Sequence, residues 1–313
     1  MQMRNNTFVT EFVLTGLTDI PELQILLFVM FVAVYAITLV GNLGLISLLR
    51  LSPQLHTPMY FFLSHLSFLD VCYSSSVTPK LVTDLLKEKK LISYAGCFTQ
   101  FYIYVAFATT ECYLLAVMAY DRYVAICSPL LYLVTMSLRK RVFLIAVSYA
   151  AGNINALVHT VAASRLSFCG LNTIHHFYCE GPPLFAIACS DVSLNELLMF
   201  VCVGFNLITT FVTILISYTC ILATILKISS SKSRQKTFST CTSHLIVIII
   251  FYGGFGIMYA RPSSRQTHNL DKIVSVFYIV VTPMVNPMIY SLRNTEVKNA
   301  FRKFLGRSVF QHM

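Results

Sequence analysis

The chain has 313 residues, of which 56% are hydrophobic and 12% are charged, whereas soluble domains carry about 25% charged residues. This composition excludes a soluble globular protein, and the long apolar runs favour membrane-spanning helices over a β-barrel. The net charge of +10 is scattered through short loops, without a Gly-rich phosphate loop or a basic stripe, so it indicates membrane topology and not nucleic-acid binding.

Seven apolar segments are predicted to cross a membrane as helices, because most contain the ~20 residues that a bilayer crossing requires. They comprise residues 23–49, 59–77, 97–126, 142–163, 197–226, 238–260 and 273–292. The sequence therefore predicts an all-α membrane protein with a seven-helix bundle over residues 23–292, after an N-terminal tail over residues 1–22. In the C-terminal tail, residues 293–313, apolar positions at helical spacing beside basic residues predict an amphipathic helix over residues 294–306.

Lysine and arginine residues predict which side of the membrane each loop faces. They are more frequent on the side that holds residues 139–141, 227–236 and 293–313, and the more basic side of a multi-pass protein faces the cytoplasm. The N-terminal tail is then extracellular, and it contains the glycosylation acceptor Asn5-Asn6-Thr7. We therefore expect a glycan at Asn5.

Four of the ten cysteines lie at or in the predicted outer loops: Cys97, Cys169, Cys179 and Cys189. Four cysteines on an oxidising side predict two disulfides, and the sequence leaves all three pairings open. The loop over residues 164–196 is longer than usual for a helix bundle, which suggests a stapled lid over it. His175, His176, Cys179 and Glu180 also form a weak zinc or copper pattern, although Cys179 is more useful in a disulfide.

An acid and an arginine stand side by side at the inner end of the third segment, Asp121 and Arg122. An arginine inside a membrane is expensive unless it is paired, so this pair predicts a functional site. A basic anchor that extends to the membrane surface is the alternative.

Further polar residues lie at mid-membrane depth on the second, third and seventh segments: Asp70, Glu111 and Asn286. Two acids and an amide that converge there predict a sodium or proton site, and a hydrogen-bonded cluster that only holds helices together is the alternative. Pro283 and Pro287 interrupt the seventh segment, so we expect a kinked helix beside this cluster.

Several blocks of sequence resemble the olfactory (odorant) receptors, a branch of the rhodopsin-like G-protein-coupled receptors, and in particular their class II, tetrapod-type members. These blocks are LHTPMY at 55–60, MAYDRYVAIC at 118–127, KTFSTCTSHL at 236–245 and PMVNPMIYSLRN at 283–294. They occur in the order of that family and extend over almost the whole chain. His65, Ser128 and Tyr149 depart from the family pattern, which commonly has Asn, Asn and Trp there.

The resemblance implies a receptor in the ciliary plasma membrane of olfactory neurons, with no enzyme activity and no cofactor. It implies three partners: a small-molecule odorant, a heterotrimeric stimulatory G protein that raises cyclic AMP, and membrane lipid. It also implies the disulfides Cys97–Cys179 and Cys169–Cys189. A G-protein switch is expected at Asp121, Arg122, Tyr123, Tyr218 and Tyr290.

The implied ligand pocket lies under the long loop, among the third, fifth, sixth and seventh helices. Counting helical turns outward from Arg122 predicts the lining residues Tyr104, Val105, Ala108, Thr109, Cys202, Phe205, Asn206, Tyr252, Phe255 and Tyr259. No basic residue was found at that depth and the nearest acid, Glu111, lies below it, so a small, neutral, volatile ligand is expected.

The sequence leaves two alternative functions open. A non-olfactory rhodopsin-like receptor for a small lipophilic ligand is the nearer alternative. A transporter is the weaker alternative, because the sequence shows no internal repeat of the kind that transporters carry.

Overall fold

The computed structural model describes residues 9–170, 172–259, 268–293 and 295–310, with the side chains in these ranges except those of residues 232, 233, 236, 239, 240, 255–259, 268–270, 291–293, 295 and 304–310. Its strands are β1 (Glu11–Leu14), β2 (Leu91–Ser93) and β3 (Thr173–Ile174). Its helices are α1 (Pro21–Leu51), α2 (Pro58–Leu85), α3 (Tyr94–Cys127), α4 (Tyr132–Thr135), α5 (Leu138–Ser164), α6 (Gly181–Ala186), α7 (Ser193–Leu226), α8 (Ser231–Tyr259), α9 (His268–Val276), α10 (Thr282–Arg293) and α11 (Thr295–Phe310).

The predicted seven-helix bundle is confirmed. Its crossings are α1, α2, α3, α5, α7, α8 and the composite of α9 and α10, which a π-helical segment, Phe277–Val281, joins. By length and composition, α1, α3, α5, α7 and Asp271–Tyr290 are apolar enough to cross a membrane. The less apolar α2 and α8 complete the bundle, since α2 packs on α1 and α3 while α8 packs on α10.

The ends of the crossings follow local chemistry. Prolines occupy the first turns of α1 and α2, where a missing N–H costs no hydrogen bond. Ser93 caps α3 by accepting a hydrogen bond from the Gly96 N–H at 3.1 Å. The second crossing is longer than predicted, because α2 continues through Pro79 to Leu85, and Lys80 pairs with Asp84 in that additional turn.

A short helix does follow the last crossing, as predicted from its amphipathic pattern. It begins at Thr295 and buries Val297 and Ala300 while Lys298 and Arg302 remain exposed. The Tyr60 hydroxyl donates a hydrogen bond to the Glu296 carboxylate at 2.8 Å. Since Tyr60 is on α2, this bond attaches α11 to the inner end of the bundle.

The outer end of the bundle is covered by the predicted lid, to which the N-terminal tail adds a strand that the sequence did not predict. β1, from the N-terminal tail, pairs antiparallel with β2 and parallel with β3, which gives a small sheet in the order β2-β1-β3. Phe12 and Leu14 of β1 are buried against Phe98, Leu184 and other apolar residues, so the lid has its own hydrophobic core. The tail and the long loop are therefore one folded unit.

One disulfide fixes the lid to α3, and a second closes a loop within the lid. Cys97, in the first turn of α3, is bonded to Cys179, and Cys169 is bonded to Cys189. This is the pairing that the resemblance implies, out of the three that the sequence left open. Because Cys179 is in a disulfide it is not available to a metal, and the described residues contain no group of three or more His, Cys, Asp or Glu arranged to hold one.

The seventh crossing is irregular beside its first proline. Pro283 has no N–H to donate to the carbonyl four residues earlier, and the π-helical segment ends two residues before it. The carbonyl of Pro283 accepts a hydrogen bond from the Asn42 side-chain amide at 2.9 Å, which ties the irregular segment to α1. The predicted weak point is therefore present, and the π-helical segment extends it toward the outside.

Candidate functional site

A cavity of about 70 Å³ lies beneath the lid, between α3, α5, α7 and α6. Five of the ten residues predicted from helical depth line it: Tyr104, Val105, Ala108, Thr109 and Asn206. Typical small-molecule sites enclose roughly 300–1,000 Å³, so this cavity accepts only a compact ligand unless side chains move. Its lining is mostly apolar, with a few polar groups.

Three of the other five predicted residues, Cys202, Phe205 and Tyr252, are not part of the lining. Phe205 is 63% exposed on the outer face of α7 and Cys202 is half-buried, so both predictions are wrong for this cavity. Tyr252 instead donates a hydrogen bond to the Thr210 hydroxyl at 2.7 Å. The side chains of Phe255 and Tyr259 lie outside the described residues.

The error on α7 has a simple geometric cause. The lining residues of this helix are Met199, Val203, Asn206 and Leu207, which share one face at i, i+4, i+7 and i+8. Counting turns gave the correct depth, but it did not give the rotation of the helix about its own axis. Cys202 and Phe205 are at the same depth on neighbouring faces.

Sequence reasoning missed the contribution of the fourth crossing. Asn155 and His159 of α5 both line the cavity, and they are one helical turn apart on one face. The side-chain amide of Asn155 donates a hydrogen bond to the Thr109 hydroxyl at 2.9 Å. The sequence did contain a signal for this contribution. Asn155 and His159 are polar residues at i and i+4 in an apolar segment, and such residues are rare in membrane helices.

Glu180 of the lid also lines the cavity, so the premise that no acid lies at ligand depth is wrong. Its carboxyl is buried, and one of its oxygens is 3.8 Å from the His176 ring nitrogen Nε2. Burial raises the pKa of Glu180 to about 7, because the charged form is poorly solvated there. Near neutral pH the uncharged carboxyl is therefore well populated.

Aromatic rings connect the cavity with the seventh crossing. The ring of Tyr104 stacks on Tyr73 of α2 with centroids 5.6 Å apart, and Tyr73 meets Tyr278 edge to face at 5.9 Å. Tyr278 is in the π-helical segment and is 5.4 Å from Phe251 of α8. A displacement at Tyr104 would thus reach the seventh crossing and α8 through Tyr73 and Tyr278.

The mid-membrane polar residues do converge. The Asn286 amide donates to both carboxylate oxygens of Asp70, at 3.1 and 3.2 Å. Glu111 is buried nearby, and its Oε1 has no hydrogen-bond partner in the described part of the chain. A half-satisfied acid beside a bonded pair leaves room for a proton or a cation, although the geometry also fits a cluster that only joins helices.

At the inner end, Arg122 is paired with the acid that precedes it. Its Nη2 and Nε donate to Asp121 Oδ2 at 2.5 and 3.2 Å, and the hydroxyl of Tyr132 donates to Asp121 Oδ1 at 2.9 Å. The side chain of Asp121 is fully buried and that of Arg122 is 11% exposed. The pair therefore lies inside the protein, which does not support the alternative of a basic anchor at the membrane surface.

The other predicted switch residues lie around this pair. The Tyr218 hydroxyl is hydrogen-bonded to His244 Nδ1 at 2.8 Å and not to Arg122. Tyr123 packs against the apolar cluster of Ile221 and Cys241, between α7 and α8. Tyr290 is buried, and no described residue is hydrogen-bonded to its hydroxyl.

A seven-helix bundle with a lidded cavity and a paired arginine at the opposite end has the architecture of the rhodopsin fold. The fold matches the crystal structure of squid rhodopsin with a TM-score of 0.69 and 18% sequence identity, over 93% of this chain and 88% of that one. At this identity the match shows the fold alone.

Sequence comparison gives the family. Residues 31–308 match the family described as olfactory receptor. The chain is 53% identical to olfactory receptor 5AP2 of Mus musculus, over 99% of this chain and 98% of that protein, and 52% identical to olfactory receptor 5F1 of Homo sapiens, over 98% of each. The chain belongs to the olfactory receptor family, and it is a multi-pass membrane protein of a receptor class, not an enzyme.

Proposed function

We propose that this receptor binds small, neutral, volatile organic molecules in the cavity between α3, α5 and α7, beneath the lid. The cavity itself carries the proposal: it lies beneath the lid, is mostly apolar and is about 70 Å³ in volume. A compact uncharged molecule gains apolar contact there and needs few hydrogen bonds. An ion would have to give up its hydration in the same space, at a cost of several kcal/mol.

The bound molecule acts on the cytoplasmic end by favouring one of two states. In the resting state Arg122 is held by Asp121, and Tyr218 is held by His244. In the active state Arg122 turns away from Asp121 and toward Tyr218 and the G protein, as α8 moves outward. A ligand drives this change only if it binds the active state more tightly. Tyr104, Tyr73 and Tyr278 supply the contacts between cavity and crossings.

We further propose that the partner is a stimulatory G protein of the olfactory type, so that activation raises cyclic AMP. The receptor would work in the ciliary membrane, with its N-terminus and the glycan at Asn5 on the outside. The basic character of the opposite loops supports this orientation. Two disulfides on the lid agree with this orientation, because such bonds form on the extracellular side.

Asp70, Glu111 and Asn286 would bind a sodium ion or a proton that favours the resting state.

The test is a cyclic-AMP reporter in cells that display the receptor, screened against a chemically diverse odorant panel. The expected agonists are uncharged, with responses absent from cells without the receptor. Glu180→Gln serves as the charge control, since it removes the acid and keeps the shape. A neutral agonist should change in potency by less than about threefold, whereas an amine that pairs with Glu180 should lose about tenfold or more. Carboxylates or amines as the best agonists would refute the neutral-ligand proposal.

A further inference from the structure

One polar side chain in the cavity wall has no partner. His159 is 6% exposed, and its Nε2 has no hydrogen-bond partner among the described residues. Buried polar atoms in native proteins are nearly always paired, so an exception calls for an explanation. His159 is also one of the residues that line the cavity.

The polar groups around His159 are already engaged with each other. Asn155, one turn away on the same face of α5, donates to the Thr109 hydroxyl, and the Tyr113 hydroxyl donates to Asn206 Oδ1 at 2.7 Å. These pairs fasten α3 to α5 and α7 at the cavity wall. The imidazole of His159 is a wall group on α5 whose Nε2 is not bonded to any described residue.

We propose that His159 is a specificity-determining residue, and that its ring nitrogen hydrogen-bonds the hydroxyl group of a small alcohol or phenol. This inference rests on the proposed function and names the ligand class of the same cavity. A neutral imidazole nitrogen is a donor in one tautomer and an acceptor in the other. A hydroxyl group both donates and accepts, so it satisfies either tautomer, whereas an ether or carbonyl oxygen satisfies only one.

Glu180 of the lid and the apolar lining of the cavity also favour an alcohol or a phenol as the ligand. Glu180 accepts a hydrogen bond from a hydroxyl group in either protonation state, but an ether or carbonyl can meet only its protonated form. The remaining wall is apolar and includes Phe101, Val105, Phe185 and Met199. An alcohol or phenol can direct its hydroxyl at His159 or Glu180. Its compact hydrocarbon part then packs against this apolar wall.

The experiment compares alcohols with their methyl ethers, which keep the skeleton and lose the donor. The probes are hexan-1-ol, benzyl alcohol and menthol, each beside its methyl ether, in the cyclic-AMP assay with receptor counted at the surface. For the skeletons that activate the wild type, the alcohol should act at about tenfold lower concentration than the ether, the effect of one hydrogen bond. His159→Phe should reduce this ratio to below about threefold, and His159→Gln should restore part of it.

Val158→Phe is the matched control, because Val158 is the preceding residue of α5, is 39% exposed and does not line the cavity. It should keep the wild-type ratio. A His159→Phe receptor with the full alcohol preference would overturn the inference and leave the proposed function standing. Methyl ethers that are as potent as the alcohols on the wild-type receptor, or more potent, would also overturn the inference and leave the proposed function standing. A displayed receptor that responds neither to these probes nor to any member of the broad panel would overturn both.

Discussion

A close approach of α5 to α3, at Gly152 of α5, gives a test of the packing on which the cavity depends. A Cβ at Gly152 would lie 2.1 Å from the Thr110 hydroxyl oxygen and 2.4 Å from the carbonyl oxygen of Ala106, both on α3. The hydroxyl is itself fixed, since it donates to the same carbonyl at 2.7 Å. The backbone oxygen cannot rotate away, so Gly152→Ala requires α3 and α5 to separate by about 1 Å.

The size of the effect follows from two opposing terms. Overpacking a well-filled interior costs about 1–3 kcal/mol, while alanine in a helix gains about 0.5–1 kcal/mol over glycine. Gly152→Ala should therefore be destabilising by about 1–2 kcal/mol. Gly44→Ala on α1 is the matched control, because nothing lies within 4 Å of its added Cβ, and it should be neutral or slightly stabilising.

The assay is thermal unfolding of the detergent-purified receptor, followed with a dye that reacts with thiols as they become exposed. Cys112 of α3 is a free, buried cysteine beside the cavity, so it reports when α3 separates from its neighbours. Gly152→Ala should lower the midpoint by several degrees relative to Gly44→Ala and should reduce surface display. Equal midpoints for the two variants would refute the close packing of α3 and α5.

Three further predictions concern the switch, the lid and the polar cluster. Arg122→Ala should reach the surface but fail to raise cyclic AMP with an agonist, and a full response would remove Arg122 from the switch. Cys169→Ser, Cys189→Ser and the double variant should show the same reduced surface display, because each removes one disulfide at a cost of about 2–5 kcal/mol; a double variant worse than either single one would contradict the pairing. Glu111→Gln should change basal activity or its dependence on sodium, and no change in either would leave the cluster a purely structural role.

Much of the fold could be predicted because membrane crossings depend on apolar runs that the sequence displays directly. The ends of the crossings were harder to predict than their number, and the second crossing is an example. The second crossing was ended at residue 77, before Pro79, yet α2 tolerates that proline and continues to Leu85. Tertiary contacts with α1 and α3 outweigh one missing hydrogen bond.

The sheet within the lid could not be predicted, because it joins residues far apart in the sequence. Val13 pairs with Leu91 on one side and with Thr173 on the other, and none of these short segments has an alternating pattern long enough to indicate a strand. Lys272 of α9 donates to the carbonyl of Gly16 at 2.7 Å, which adds a contact across the bundle. Such contacts are tertiary and leave no local signal.

Two of the departures from the family pattern prove to be neighbours in space. His65 of α2 and Tyr149 of α5 have ring centroids 6.0 Å apart in an edge-to-face arrangement. The two changes thus alter one contact between two crossings, and the aromatic pair fills the space between them. The sequence showed both residues, but their contact could not be known before the helices were placed.

The central claim is that odorants act from the cavity between α3, α5 and α7, and Ala108→Phe tests it most directly. Ala108 lines this cavity and is 6% exposed, so a phenyl ring there occupies the ligand's space. The measurement is agonist-evoked cyclic AMP in cells matched for surface receptor, with Val158→Phe as the control of equal ring size. We expect Ala108→Phe to raise the effective concentration of every agonist by about tenfold or more, since the ring excludes the ligand, while Val158→Phe should respond like the wild type. An Ala108→Phe receptor that responds at wild-type concentrations would contradict it.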